Sequence, residues 1–206
     1  FFVISGYLIT SLVTKNYQKK FFLFEFFIRR LRRIIPALYF LILIVVILSY
    51  IVLSPEHFLR VTNSAKSSIL AYSNFFFWSE LSYFDFESHF KPFLHSWSLS
   101  VEIQFYLIWS IVSLLCLIYL RKYYIVFILL TFLITLFFST IYSSRSAGFF
   151  YFTFFRFYEF TLGALVFLLK KKIKFKNNDL FFFIGLLIIL LSSLFFDEDS
   201  FFPGFV

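Results

Sequence analysis

The chain alternates between long apolar runs and short basic or mixed polar segments. Phe1–Thr14 is apolar, and its Ser5-Gly6 pair reads as a small-residue contact for a second helix. Lys15–Arg33 follows, with Lys15, Lys19, Lys20, Arg29, Arg30, Arg32 and Arg33 set against a single acid, Glu25. Inside it, the stretch FFLFEFFI reads as an amphipathic piece lying in a membrane interface. Ile34–Leu53 is a clean apolar run of 20 residues, the length a helix needs to cross about 30 Å of hydrocarbon. Pro36 suits the first turn of that helix, where a missing amide proton costs little. Ser54–Lys91 is polar and mixed in sign, and the Ile69–Trp78 stretch within it is too short to span, so it reads as re-entrant or interfacial. Trp97–Leu120, Tyr123–Tyr142, Phe149–Leu169 and Leu180–Phe196 are further spans, separated by Arg121-Lys122, by SSRSAG and by KKKIKFK. The fold class expected is all-α integral membrane: a polytopic helical bundle of about six spans, forming a single membrane domain over 1–206.

Composition agrees. The 206 residues are 61% hydrophobic, and the mean hydropathy of +0.90 lies far above that of a soluble domain. The N-terminus lacks the basic region and small-residue cleavage site of a secretory signal. The chain has no Met and begins within an apolar run, so it is expected to be partial at both ends, with part of a helix upstream.

A net charge of +8 invites a nucleic-acid reading, but the basic residues cluster between apolar runs, the pattern of membrane topology. The segments 15–33, 121–122 and 170–176 hold seven, two and five of the 19 Lys and Arg residues. Alternating spans put all three on one face, expected to be cytoplasmic. Ser54–His95, the turn near Ser143 and the Asp197-Glu198-Asp199 tail then face outward. The lone Cys116 excludes an intrachain disulfide. His57, His89 and His95 show no metal-ligand spacing, so no metal site is expected.

Three constellations carry candidate chemistry. LHSWSLSVEIQFYLIW at Leu94–Trp109 places His95, Ser98 and Glu102 at i, i+3 and i+7, one face of a helix. A carboxylate in a span costs about 3 kcal/mol on insertion scales. A simple helix start capped by His95 and Ser98 would not require Glu102, which lies too deep for a cap. Carboxylate and imidazole can both accept and return a proton. The second constellation is the Arg29, Arg30, Arg32, Arg33 cluster. It reads either as a stop-transfer cluster for anionic headgroups or as a bidentate phosphate site, for which Arg is better suited than Lys. The third is Arg156 with Glu159 at i, i+3, either a self-neutralising pair or the lining of a site. Gly163, two turns after Arg156, lets another helix approach that face.

Taken together, these motifs resemble the acyltransferase-3 family of integral-membrane O-acyltransferases. LHSWSLSVEIQFYLIW is similar to the family's H-x-W-S-L-S-V-E-E-Q-F-Y signature. FFVISGYLIT is similar to its early FFxxSGxLIT span, and RRLRRIIPAL to its R-x-x-R-I-x-P-A-L motif. YSNFFFW, Tyr83-Phe84-Asp85 and FRFYEFTLGAL at 155–165 follow in the family's order. The resemblance implies transfer of an acyl group, commonly acetyl from acetyl-CoA, to hydroxyls of lipopolysaccharide O-antigen, capsule or peptidoglycan. It implies acyl-CoA as donor substrate with no bound cofactor. The partners would be a surface or lipid-linked glycan acceptor and membrane lipid, with no nucleic acid, in a bacterial inner (cytoplasmic) membrane. Arg30 and Arg33 match the pair assigned to the CoA donor. Glu102, His95, Arg156 and Glu159 are the candidate catalytic positions, within motifs that also hold Trp97, Ser98, Gln104 and Gly163. Ile103 departs from the signature, standing where the family often has a second Glu. The principal base of the family lies on a helix before FFVISGYLIT, so that role is not expected of His95. The rival class is a transporter or exporter of a polysaccharide precursor, with the same charges lining its path.

Overall fold

The structure, a computed structural model, describes residues 1–81, 91–143, 147–172 and 178–195. Runs of Leu, Ile, Val and Phe with few helix breakers fold as helices, because backbone groups in hydrocarbon must bond within their own segment. In chain order these are α1 (Phe2–Asn16), α2 (Phe22–Val52), α3 (Pro55–Ile69), α4 (Ser73–Leu81), α5 (Ser96–Tyr119), α6 (Tyr124–Ser143), α7 (Thr153–Lys172) and α8 (Asn178–Phe195). Short 3₁₀ segments at Arg121–Tyr123 and Ala147–Tyr151 precede α6 and α7. No strand occurs among the described residues. The chain is an all-α membrane protein. Phe22–Val52, Ser96–Tyr119 and Arg121–Tyr142 are long and apolar enough to cross a bilayer. The segment Tyr83-Phe84-Asp85, His89 and the Asp197-Glu198-Asp199 tail lie outside the described residues.

Three elements differ from their sequence expectations. FFLFEFFI is not a separate interfacial piece. It is the first part of the 31-residue helix α2, and its Phe22 and Phe26 are buried in the main core. Pro36 therefore sits in the interior of α2, not in its first turn. The apolar stretch Ile69–Trp78 is not one element either. α3 ends within it and α4 begins within it, with Ala71 between them at φ 55°. The Ala71 amide donates to the Ser68 carbonyl and the Tyr72 amide to the Ser67 carbonyl, at 3.2 and 3.0 Å. These bonds form a Schellman stop, normally built on Gly. Finally, α7 starts at Thr153, after the 3₁₀ segment, where the apolar run had pointed to Phe149.

Contact pairs set the helix directions. Phe2 meets Trp97, Ser5 meets Glu102 and Thr10 meets Trp109, so α1 and α5 run parallel. Gly6 against Phe160 and Tyr7 against Phe167 make α1 and α7 parallel as well. Trp109 against Phe127 and Ser113 against Tyr124 make α5 and α6 antiparallel.

The α1–α7 contact is backbone on backbone. A Cβ added to Gly6 would stand 1.9 Å from the Phe160 carbonyl oxygen, and one added to Gly163 would stand 1.9 Å from that of Val3. Both glycines thus serve as the close contacts expected of them. The main core joins α1, α5, α6, α7 and the start of α2 around Ile9, Val101, Phe105, Trp109 and Phe160. A second cluster joins α2, α3 and α4 with Phe93 just before α5. The outer surfaces of α2, α5, α6 and α8 expose large aliphatic and aromatic side chains, as a lipid-facing surface requires.

Candidate functional site

Glu102 lies on the face of α5 that packs against α1, and only 3% of it is exposed. Ser5, from α1, donates its hydroxyl to Glu102 Oε1 at 2.5 Å. One turn further along α5, the Tyr106 hydroxyl donates to the same oxygen. The hydrogen bonds of Glu102 among the described residues thus fall on Oε1, and Oε2 is engaged by neither hydroxyl. Thr10 continues the α1–α5 seam, accepting the Trp109 indole N–H at 2.9 Å.

Tyr106 also faces α2. The Arg30 guanidinium stands 4.9 Å from the centre of its ring and 5.8 Å from that of Phe26. Such a cation–π contact contributes about 0.5–2 kcal/mol, more as water is excluded. One aromatic ring therefore carries an arginine on its face and a carboxylate on its hydroxyl. Tyr106 is the eleventh of the 24 residues of α5, so Arg30 reaches the middle of that helix. Arg29, Arg30 and Arg33 line one cavity of about 260 Å³ with Leu12 and Phe26. That space suits a diphosphate, and three guanidinium groups can bind it with charge-assisted bonds. Arg29 also pairs with Glu25 at 3.3 Å, an exposed contact of little energetic weight.

Arg156 and Glu159 sit further toward the start of α5. Arg156 is 1% exposed, pairs with Glu159 at 2.7 Å and donates from Nε to the Phe150 carbonyl at 3.2 Å. Its guanidinium lies 4.1 Å from the Phe150 ring centre and 5.4 Å from that of Trp97. The Glu159 side chain keeps 19% exposure. Next to this pair in α7, Phe160 stacks on Phe105 of α5 at 3.8 Å and on Phe2 of α1 at 4.6 Å. His95 is exposed at the residue before α5, about 10 Å of helix rise from Glu102.

The structure thus brings Arg30, Arg33 and Glu102 into one assembly, sets Arg156 and Glu159 beside it, and leaves His95 apart. Sequence reasoning passed over Ser5 and Tyr106. Tyr106 had a signal, since it lies four residues from Glu102 on the same helix face. Ser5 was read only as a packing residue. Gln104 has a different part: its amide donates to the Ala71 carbonyl at 2.8 Å and to Asn74 Oδ1 at 2.9 Å, and accepts from Thr153. It ties α4 and the start of α7 to α5. Among the described residues no His, Cys, Asp and Glu group could hold a metal ion.

A helical membrane protein with a carboxylate, a tyrosine and a cavity-lining arginine joined inside its bundle is the class that fold and site define. The chain belongs to the acyltransferase-3 family, whose description, an acyltransferase domain, matches residues 1–202. It is 42% identical over 115 residues to O-acetyltransferase OatA of Staphylococcus aureus, covering 54% of this chain and 19% of that protein. It is 43% identical over 112 residues to peptidoglycan O-acetyltransferase OatA of Listeria monocytogenes, covering 53% and 18%. An uncharacterized protein of Haemophilus influenzae is 31% identical over 175 residues, covering 81% of this chain and 71% of that one. The matched part is therefore about a fifth of the two OatA proteins. No solved structure matches the chain.

Proposed function

We propose that this chain is the membrane domain of an O-acyltransferase that moves an acetyl group from cytosolic acetyl-CoA to a hydroxyl of a cell-surface glycan, peptidoglycan foremost. Family membership supports the reaction class, and the S. aureus O-acetyltransferase and L. monocytogenes peptidoglycan O-acetyltransferase relatives support acetyl and peptidoglycan. The observation that carries the reading is Arg30: it lines the arginine cavity and lies on the tyrosine bonded to Glu102. The cavity receives the diphosphate of the donor. The glycan hydroxyl loses its proton to a base and attacks the thioester carbonyl. A C–O bond forms, the C–S bond breaks, and CoA leaves as its thiolate, which then takes up a proton. Glu102, with Oε1 held by Ser5 and Tyr106, orients the acceptor through Oε2. The parallel run of α1, α5 and α7 supports the charge-based orientation, with their C-terminal ends at the cytoplasmic face of a bacterial inner membrane.

The test uses membranes bearing the full-length protein, with labelled acetyl-CoA and glycan acceptor. Label should appear as an alkali-labile ester on the glycan. Arg30→Ala or Arg33→Ala should raise the donor KM roughly 10- to 150-fold, the loss of a charge-assisted bond. Arg→Lys at both positions with an unchanged donor KM would refute bidentate phosphate binding. Glycan movement across the membrane without consumption of acetyl-CoA would overturn the transferase reading.

A further inference from the structure

A second basic cavity lies on another side of α1 from the arginines. It encloses about 320 Å³ and is lined by Tyr7, Thr14 and Lys15 of α1 and by Phe167 and Lys170 of α7. Its origin lies in the packing. The two parallel helices touch backbone to backbone at Gly6 and Gly163. The large Tyr7 and Phe167 rings meet edge-on at 5.5 Å. A groove opens beyond them, with aromatic walls at its deep end and two lysines at its rim. Both lysines are exposed, and neither has an ion pair among the described residues.

This chemistry differs from that of the arginine cavity. Lysine is a compact, strongly hydrated charge on a flexible apolar stem. At a helix end it lays the stem along apolar surface and carries its ammonium to the membrane interface. Basic grooves between helices on the cytoplasmic side take anionic lipid headgroups. A headgroup phosphate is complementary to the rim, and an acyl chain to the Tyr7 and Phe167 walls. We infer that the α1–α7 groove binds an anionic glycerophospholipid of the cytoplasmic leaflet, with its phosphate at Lys15 and Lys170 and a chain against Tyr7 and Phe167. The inference uses the orientation of the helices and does not depend on the transfer reaction.

The experiment places the purified full-length protein in bilayers containing spin-labelled phosphatidylglycerol or phosphatidylcholine and reads the motionally restricted lipid. Phosphatidylglycerol should be preferred, and Lys15→Gln/Lys170→Gln should weaken that preference roughly ten- to thirty-fold. Lys19→Gln/Lys20→Gln removes the same charge from exposed positions outside the groove and should change it less than about twofold. Equal losses in the two double variants would reduce the effect to general surface charge and overturn the site. So would equal restriction of phosphatidylcholine. Displacement of the labelled lipid by excess CoA would also overturn it, assigning the groove to a soluble phosphate ligand.

Discussion

Tyr106→Phe isolates the link between the arginine cavity and the buried carboxylate. The substitution removes one oxygen and keeps the ring. Arg30 therefore retains its face contact at 4.9 Å, while Glu102 Oε1 loses one of its two hydroxyl donors. A hydrogen bond to a charged group is worth about 1.5–3 kcal/mol. If that bond positions Glu102 for the acceptor, kcat falls roughly 10- to 150-fold. The donor KM stays near its parent value, because the cation–π contact survives. Tyr106→Leu removes the ring as well, and the loss of a contact worth about 0.5–2 kcal/mol should raise the donor KM roughly 2- to 30-fold. The assay is acetyl transfer in membranes at varied acetyl-CoA and at varied glycan, with thermal unfolding of each variant as a check on folding. A merely structural Tyr106 would lower the unfolding temperature without separating kcat from KM. Tyr106→Phe with parental kcat, or with a raised donor KM at unchanged kcat, would refute the positioning role.

Other outcomes follow from the packing. Gly6→Ala and Gly163→Ala each force a Cβ to within 1.9 Å of a backbone carbonyl oxygen and should destabilise the chain by about 1–3 kcal/mol, as overpacking does. Gly185→Ala meets nothing within 4 Å and should be neutral or gain up to about 1 kcal/mol of helix propensity. Thermal unfolding in detergent compares the three, and a Gly6→Ala variant as stable as its parent would contradict the backbone contact. Ala71→Gly relieves a left-handed residue at φ 55° and should stabilise by about 1 kcal/mol. A lower unfolding temperature in the same assay would count against the Schellman stop.

Hydropathy located the helices because each apolar run must satisfy its own backbone, and that constraint acts within the run. α5 and α6 therefore fall within a residue or two of their sequence bounds. The failures arise where a distant partner decides. Ala71 is a good helix former with no local turn signal, yet Gln104, far along the chain, bonds its carbonyl and Asn74 at the start of α4. FFLFEFFI looks amphipathic because one of its faces is buried, but the burying surface is the α1–α5 core and the helix continues into the span. At the site, Glu102, Arg30 and Arg156 stood out because charges in apolar sequence are costly. Ser5 and Tyr106 carry no charge and sit among many apolar and aromatic neighbours, so only the fold separates them from packing residues. His95 shares the i, i+7 register with Glu102, but register gives direction around the helix and not depth along it. Its exposure comes from standing before the first turn.

Helix α1 touches the buried carboxylate and both cavities. Ser5 bonds Glu102, Thr10 bonds the Trp109 indole, Gly6 meets Phe160, and Gly163 meets Val3. Leu12 lines the arginine cavity, while Tyr7, Thr14 and Lys15 line the lysine groove. A shift of α1 cannot be taken up at Gly6 or Gly163, where the backbones are already in contact. A displacement of α1 therefore carries α7 with it. It changes the Ser5–Glu102 bond and the arginine cavity, which other helices complete, and leaves the lysine groove, lined by α1 and α7 alone, as it is. Occupancy of the arginine cavity is thus expected to be coupled to the geometry of the carboxylate through Leu12 and Ser5 of this helix, with Tyr106 as the second route. A two-site coupling of this kind is reciprocal. An acceptor that engages Glu102 should then alter the donor Kd by the same factor by which bound donor alters the acceptor Kd, while the lysine groove keeps its lipid affinity with and without donor.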